Sequence, residues 1–264
     1  MAKNQVKLGS ILSYLQMAIS VAIQLVYTPI MIRLLGKNEY GLYQTVASTI
    51  SMLSVLSLGF NSGYIRYYAI YKKNDDKQSI SKLNGLFLII FSIIGAVSLV
   101  CGLYLSFHLE LVFDDGLTPA EYSKAKVLML LLTFNLSISF PMSVFQNIIS
   151  AHERFIFLKL LGMLKTIVGP LVTLPLLLLG YRSIAMVAVT VSTALLADIV
   201  YLFYVFVRMK ERFLFHDFEN GIFKGLFYIH SLSRSIRLLT KSIGVSISYC
   251  LAVLRERAKS PYTL

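Results

Sequence analysis

The sequence predicts an all-α protein, a polytopic bundle of about six transmembrane helices. Its 264 residues are 56% hydrophobic and only 14% charged, whereas soluble domains contain about 25% charged residues. The apolar residues fall into six long runs that are separated by short polar segments. Each run is at least as long as the roughly 20 residues that a helix needs to cross the hydrocarbon layer.

The first run is longer than the apolar core of a signal peptide, and no small-residue cleavage site follows it, so we expect it to be retained. Three of the runs contain proline, which a membrane helix tolerates when neighbouring groups satisfy the freed carbonyl. The predicted spans cover about residues 8–35, 41–70, 81–107, 122–150, 154–180 and 183–208 of a lobe formed by residues 1–209.

Basic residues are in excess, with 25 Lys and Arg against 13 Asp and Glu. In a soluble protein this excess would suggest a nucleic-acid partner. The chain shows no zinc-finger spacing, RNA-binding signature or basic recognition helix, so we expect no nucleic-acid partner. In a membrane protein basic residues collect in cytoplasmic loops and face anionic headgroups.

The distribution of these charges predicts that the N-terminus is cytoplasmic. Basic residues are concentrated on the side of the bundle that holds the N-terminus, and this side of a membrane protein is usually cytoplasmic. The N-terminal side carries Lys3, Lys7, Arg66, Lys72, Lys73, Lys77, Lys82, Arg154, Lys159, Arg208, Lys210 and Arg212, and the opposite side carries Arg33, Lys37, Lys124, Lys126 and Arg182.

Signals of an enzyme or of a cofactor are weak. The two cysteines, Cys101 and Cys250, form neither a disulfide framework nor a metal pattern. The four histidines lack metal-ligand spacing, and no phosphate-binding loop or dinucleotide fingerprint is present. We therefore expect no catalytic residue, no metal and no cofactor.

The C-terminal part of the chain changes character. Residues 210–227 form a short segment in which aromatic and charged residues are mixed. This composition favours an interfacial helix on the cytoplasmic leaflet. From about Tyr228 to Leu264, serine and basic residues become frequent. No run in this tail is long enough to span a membrane.

Two stretches around the ends of the first two spans resemble the oligosaccharide flippases of the multidrug/oligosaccharidyl-lipid/polysaccharide (MOP) exporter superfamily. The stretches read TPIMIRLLGKNEYGLYQTVAS and LSLGFNSGYIRYYAIY. The resemblance covers roughly residues 5–226. Its matching residues are Pro29, Leu35, Gly36, Glu39, Tyr40, Gly41, Leu58, Gly59, Phe60, Tyr64, Arg66, Tyr67 and Tyr68, followed by His152 to Phe155.

The resemblance implies a fold, an activity and a location. Such proteins have two pseudo-symmetric lobes around a central cavity, and this chain corresponds to one MATE-like lobe. They turn lipid-linked oligosaccharides, such as O-antigen or other polysaccharide repeat units on an undecaprenyl-type carrier, from the cytoplasmic to the outer leaflet by alternating access. The implied location is the bacterial inner membrane, and the implied partners are membrane lipid and polysaccharide assembly proteins.

The resemblance also implies that the chain is shortened. Family members commonly continue with a helix resembling IVDQINWSID. One coding of that peptide, read one base later, gives LLTKSIGVS, which is Leu238 to Ser246 here. We therefore hypothesise that residues 228–264 are a frameshifted tail.

Polar groups inside the spans are the candidates for a substrate path, because such groups are costly in lipid and usually face a cavity. Arg33 and Arg66 can bind a pyrophosphate bidentately, and snorkelling toward headgroups explains them as well. Asn61 can bond a sugar hydroxyl, and Gln24, Asn135, Gln146 and Asn147 can line the same cavity. Hydrogen bonds between helices are the alternative.

Lys165 and Asp198 are predicted to lie at equal depth, roughly 17 Å from the cytoplasmic ends of the fifth and sixth spans at 1.5 Å per residue. Equal depth permits an ion pair, which lowers the cost of burying each charge. We hypothesise that Asp198 takes part in proton or sodium coupling. A structural pair or a snorkelling lysine is the alternative.

Four functions remain open at this stage. The leading one is a flippase for lipid-linked oligosaccharide. A multidrug or metabolite cation antiporter of the same superfamily is the second, and it would favour an acidic and apolar cavity. A membrane glycosyltransferase or polymerase would need a large catalytic loop, which the chain lacks between Phe107 and Tyr122. An inactive fragment is the fourth.

Overall fold

The protein is a bundle of α-helices. A computed structural model describes residues 2–57, 60–113 and 117–216, with side chains from residue 8 onward. In this described part, six helical segments are long and apolar enough to cross a membrane, which confirms the predicted fold class. The helices are α1 Ala2–Leu35, α2 Lys37–Leu53, α3 Phe60–Lys73, α4 Lys77–Phe107, α5 Pro119–Ala151, α6 Phe155–Leu178 and α7 Ser183–Phe203.

Most of the described residues form one compact unit, which consists of residues 2–57 and 64–216. Residues 60–63, the first turn of α3, belong to a second unit. A π-helical turn, Tyr204–Met209, continues α7. The predicted tail, 228–264, lies outside the described residues, and its frameshifted origin stays a prediction.

The second predicted span, 41–70, is divided into two helices. A 3-10 turn, Ser54–Ser57, follows α2 before α3 begins at Phe60. The hydroxyl groups of Ser51, Ser54 and Ser57 each donate to the carbonyl oxygen three residues earlier. Side-chain bonds of this kind compete with the α-helical hydrogen-bond pattern, and the i to i−3 spacing matches the tighter 3-10 turn.

Local capping determines where α4 and α5 begin. Asp76 caps α4 and accepts hydrogen bonds from the hydroxyl and the backbone N–H of Ser79, which hold the pKa of the Asp76 carboxyl below its ordinary value. Thr118 and Glu121 form a capping box at the start of α5, with Pro119 in the first turn. These signals are readable in the sequence.

Helix α5 packs against α2, α4 and α7, whereas α1 packs mainly against α6. A small residue allows α4 to approach α5 closely, because a Cβ atom on Gly95 would lie 2.6 Å from the Ser137 carbonyl oxygen. The Ser137 hydroxyl donates to the carbonyl oxygen of Gly95 across this contact, at 2.9 Å.

A buried carboxylate connects three helices at the end of the bundle opposite the N-terminus. Glu39, near the start of α2, is only 9% exposed. One of its oxygens lies 3.1 Å from Lys124 Nζ on α5 and 3.0 Å from Arg182 Nη1, just before α7. The other oxygen accepts from the backbone N–H and the hydroxyl of Ser183 at 3.0 and 2.7 Å. We call these four residues the Glu39 cluster.

A second polar cluster lies at the opposite end. The buried Asn84 of α4 accepts from the Tyr64 hydroxyl at 2.6 Å and donates to Glu211 at 3.3 Å. His152 Nε2, at the α5–α6 corner, lies 2.9 Å from the Tyr68 hydroxyl and 3.0 Å from Glu211 Oε1. These five residues form the Asn84 cluster, which connects α3, α4, the α5–α6 corner and the segment after α7.

The first residues of the predicted interfacial helix are not helical. Residues 210–216 are irregular, and Lys210 has a left-handed backbone with φ 54°. Their backbone groups bond to α4 instead, because the Leu214 N–H donates to the Ser81 carbonyl and the Arg212 carbonyl accepts from Asn84. Residues 217–227 lie outside the described part.

We expect Glu39→Gln to lower the free energy of unfolding by about 1–2 kcal/mol, since it removes the charge that Lys124 and Arg182 face, while both cations remain exposed enough to regain water. Thermal unfolding of the detergent-solubilised protein measures this change. Glu110→Gln, at an exposed position in the turn Leu109–Leu111, is the matched control. Equal stability of the two variants would contradict a structural role for the Glu39 cluster.

Candidate functional site

A polar groove of about 720 Å³ opens between α1, α5, α6 and α7. It is built from the first half of α1, the last turns of α5 and the first half of α6, so it lies at the N-terminal end of the bundle. The charge distribution predicts this end to be cytoplasmic. The polar groove is lined by Gly9, Ser10, Ser13, Gln16, Gln146, Asn147, Ser150, Phe155, Leu158, Lys159, Gly162, Lys165, Thr166 and Tyr201.

Two lysines give the polar groove its charge. Lys159 and Lys165 are both on α6, six residues apart, which places their Cα atoms about 9 Å apart along the helix axis. Among the described lining residues there is no carboxylate. The polar groove therefore presents two positive charges at different depths, a pattern suited to an elongated anion.

Hydroxyl and amide groups make up the rest of the polar lining. The hydroxyls of Ser13 and Thr166 donate to carbonyl oxygens of their own helices, at 2.8 and 2.9 Å. A hydroxyl used in this way still has lone pairs with which to accept a hydrogen bond. The side-chain amides of Gln16 and Gln146 add both donors and acceptors. Such a surface can hydrogen-bond a polyhydroxylated molecule in many orientations.

A glycine sets the distance between α1 and α6. A Cβ atom on Gly9 would lie 2.6 Å from Phe155 Cβ, a distance that does not occur between real Cβ atoms and their neighbours, so a larger residue would push the helices apart. A Cβ atom on Gly162 would lie 2.7 Å from Gln16 Nε2, but this amide ends a flexible side chain and can turn away. Gly9 thus keeps the polar side chains of α1 within reach of the α6 lysines.

Aromatic stacking holds the start of α6 against the end of α7. The rings of Phe157 and Tyr204 are stacked with centroids 4.0 Å apart, and Phe157 meets Tyr201 edge-on at 6.2 Å. Aromatic pairs in these geometries contribute about 0.5–1.5 kcal/mol beyond the burial of their area. Tyr201 also lines the polar groove, so this packing fixes one of its walls.

Lys165 and Asp198 are on the neighbouring helices α6 and α7. Asp198 is buried on α7, whereas Lys165 is exposed in the polar groove. Their charges interact, but the salt bridges of the described part do not include this pair. Asp198 accepts a hydrogen bond from Gln146 Nε2 instead, at 3.4 Å. Ion coupling through Asp198 stays a prediction.

The other predicted path residues are dispersed. Arg33 is exposed in the last turn of α1, at the end opposite the polar groove. Gln24 is exposed and donates to Ser20 one turn away, at 3.3 Å. Asn61 and Arg66 are exposed on α3, and Asn135 is half-buried on α5. Arg33, Gln24, Arg66 and Asn135 are not among the described lining residues of the polar groove.

Sequence reasoning missed the α1 wall of the polar groove. Ser10, Ser13 and Gln16 recur every three residues, a spacing that places them on one helix face. A polar stripe within an apolar run was the signal that would have identified them. Lys159 was counted only as a charge for orientation, although its position six residues before Lys165 was also visible.

The fold is similar to about half of the fold of MOP superfamily transporters. The chain is similar to a MOP superfamily transporter from Pyrococcus furiosus, with a TM-score of 0.66 and 16% sequence identity. The similarity covers 92% of this chain and 54% of that one. The binding pocket of that transporter is reported to have a reverse polarity that suggests a different function. It is also similar to a multidrug resistance MATE family transporter in an outward-facing conformation, with TM-score 0.71 and 16% identity over 96% of this chain and 56% of that one. The chain thus spans about half the length of both.

The family is identified by sequence. The profile of the family described as "Polysaccharide biosynthesis protein" matches residues 8–256, so the chain belongs to this family and is a multi-pass membrane protein. The resemblance stated from the sequence is therefore confirmed. A comparison with curated proteins gave no significant match.

We expect Ser13→Cys, in a background with Cys101 and Cys250 replaced by serine, to react with a membrane-impermeant maleimide in inverted vesicles but not in intact cells. A thiol in a water-filled groove ionises and reacts, whereas one in lipid does not. Labelling is read by a gel shift.

Leu171→Cys is the control, because Leu171 is 63% exposed on the surface of α6 outside the polar groove. It should react from neither side. Labelling of Ser13→Cys in intact cells would contradict the predicted orientation, and protection from both sides would contradict a water-filled groove.

Proposed function

We propose that this chain acts in a transporter that moves lipid-linked oligosaccharide from the cytoplasmic to the outer leaflet of the bacterial cytoplasmic membrane. The observation that carries the proposal is the polar groove, with Lys159 and Lys165 and a lining of hydroxyls and amides. A saccharide diphosphate has the complementary chemistry, since its phosphates are anionic and its sugars carry hydroxyl groups. The family description, which names polysaccharide biosynthesis, supports the same substrate class.

The geometry assigns different tasks to the parts of the polar groove. Lys159, near the start of α6, is placed to attract the anionic headgroup from the membrane surface. Lys165, deeper by about 9 Å, receives it further in. Hydrogen bonds to Ser13, Gln16 and Gln146 replace those that the sugar loses with water, which lowers the cost of taking a polar headgroup into the membrane.

Transport then requires the substrate to leave toward the other side. In carriers of this kind, the binding site stays near the middle of the membrane while access alternates between its two sides. The Glu39 cluster holds α2, α5 and α7 together at the end opposite the polar groove. We propose that the Glu39 cluster keeps this end of the lobe rigid while access to the polar groove alternates.

The charge of the polar groove is open to direct test. We expect Lys159→Gln and Lys165→Gln each to weaken the binding of a fluorescent lipid-linked saccharide diphosphate by about tenfold. This is the loss of affinity expected when one charge-assisted contact is removed. Binding is measured with the full chain in nanodiscs. Lys37→Gln, exposed at the opposite end, is the matched control. Unchanged affinity in both α6 variants would overturn the proposed role of the polar groove.

A cation antiporter of the MATE type is the second candidate function. The buried Asp198, beside the polar groove and bonded to Gln146, favours it, because a buried carboxylate can exchange a proton for a cation. The MATE neighbour fits this alternative. An antiporter would bind tetraphenylphosphonium more tightly than the saccharide diphosphate lipid, and Asp198→Asn would abolish that binding.

In the proposed flippase, Asp198 has a different role. We expect Asp198→Asn to remove the dependence of transport on a proton or sodium gradient while the saccharide diphosphate lipid still binds. Transport is followed in proteoliposomes, as protection of the labelled lipid from an external reagent. Asp75→Asn, in the turn between α3 and α4, is the control. Gradient dependence that persists in Asp198→Asn would rule out ion coupling through this carboxylate.

A further inference from the structure

Lys165 lines two different grooves. One is the polar groove, and the other is a shallow cleft of about 140 Å³ between α6 and α7. The second cleft, called here the apolar groove, has walls of leucine and valine, including Leu161, Leu164, Leu196 and Val200. Lys165 therefore stands where a polar surface passes into an apolar one.

The apolar groove is apolar along its whole described lining except at Lys165 and Thr193. The Thr193 hydroxyl donates to the carbonyl oxygens of Val189 and Thr190 in its own helix, at 2.9 and 3.0 Å. Its hydrogen-bonding capacity as a donor is thus used locally. The walls remain accessible, with Leu164 57% and Leu196 63% exposed.

We propose that the apolar groove binds the first isoprene units of a polyisoprenyl diphosphate, with Lys165 contacting the diphosphate and the attached saccharide in the polar groove. This inference rests on the proposed function. In such a lipid the diphosphate stands between a polar headgroup and an apolar chain, the same order in which the polar groove, Lys165 and the apolar groove occur.

The depth of Lys165 argues against an ordinary phospholipid as the occupant. Lys165 is ten residues from the start of α6, or about 15 Å along the helix. With the start of the span Phe155–Leu178 placed at the edge of the hydrocarbon layer, which is about 30 Å thick, Lys165 lies near the middle of the layer, below the level of phospholipid phosphates. A phosphate reaches it only if the headgroup is drawn into the polar groove, which has the volume for a saccharide.

The charge on Lys165 leaves room for an anion. Asp198 interacts with it electrostatically, but accepts its hydrogen bond from Gln146 and is not in a salt bridge with Lys165 within the described part. A diphosphate at this point would supply a direct charge-assisted contact, which is stronger in lipid than in water.

The chain contains no tryptophan, so a single introduced indole reports on one position. Leu196→Trp places it on the wall of the apolar groove, and Leu171→Trp places it elsewhere on the exposed surface of α6. The probe is a saccharide-bearing polyisoprenyl diphosphate with a bromine quencher on the isoprene unit next to the diphosphate. It is titrated into nanodiscs that hold the full chain.

We expect saturable quenching in L196W, and in L171W only the weak, linear quenching of a lipid-exposed indole. Adding Lys165→Gln to L196W should move the midpoint of the quenching titration to about tenfold higher probe concentration. This is the loss of affinity expected when one charge-assisted contact is removed. Unlabelled polyisoprenyl diphosphate should displace the probe, whereas polyisoprenol and phosphatidylglycerol should not. Leu164→Trp is a second reporter on the facing wall, for use if L196W does not fold.

Equal quenching in L196W and L171W, or displacement by phosphatidylglycerol, would overturn the inference and show an ordinary lipid contact. The experiment distinguishes failure of this inference from failure of the proposed function. Binding that depends on Lys159 without saturable quenching in the apolar groove would leave the function intact and remove the inference. Saturable quenching that is the same with and without the saccharide would keep the apolar groove and contradict saccharide recognition.

Discussion

A chain in lipid has to satisfy its polar groups within itself, because hydrocarbon offers no hydrogen-bond partners. The bundle meets this constraint most completely in two clusters near its ends, whereas the buried hydroxyls of Ser98 and Thr133 are without a hydrogen-bond partner in the described part. Glu39 is matched by two cations and two donors, and Asn84 uses both its carbonyl and its amide group. The polar groove departs from this rule, since Lys159 and Lys165 line open space and take part in no salt bridge of the described part.

The sequence predicted the helices well and the clusters poorly. Long apolar runs are local signals, and recognising them needs no knowledge of which helices meet. The break after α2 was missed because hydropathy averages over a window and ignores serine hydroxyls that bond three residues back. Glu39 appeared only as part of a family motif, since its partners are 85 to 144 residues away.

The candidate site shows the same division between features that a local pattern predicts and contacts between helices that it does not. Lys165 and Asp198 were singled out because a charge within an apolar run is visible in one segment, and their depths follow from counting along two helices. Which of the remaining polar residues share a cavity depends on helix order and rotation, which one sequence does not give. Arg33 and Gln16, for example, are both polar positions of α1, yet only Gln16 meets α6 at the polar groove.

The distribution of these contacts divides the bundle into stiff and compliant parts. The Glu39 and Asn84 clusters join α2, α3, α4, α5 and α7 through directional bonds that a sliding helix would have to break. Helices α1 and α6 instead meet through the close van der Waals contact of Gly9 with Phe155. A contact without directional bonds loses little energy on a small shift, whereas Phe157 holds α6 against Tyr201 and Tyr204. Helix α1 therefore has more freedom to move than α6, and because it carries Ser10, Ser13 and Gln16, its displacement would change the width of the polar groove and the distance from these side chains to the two lysines.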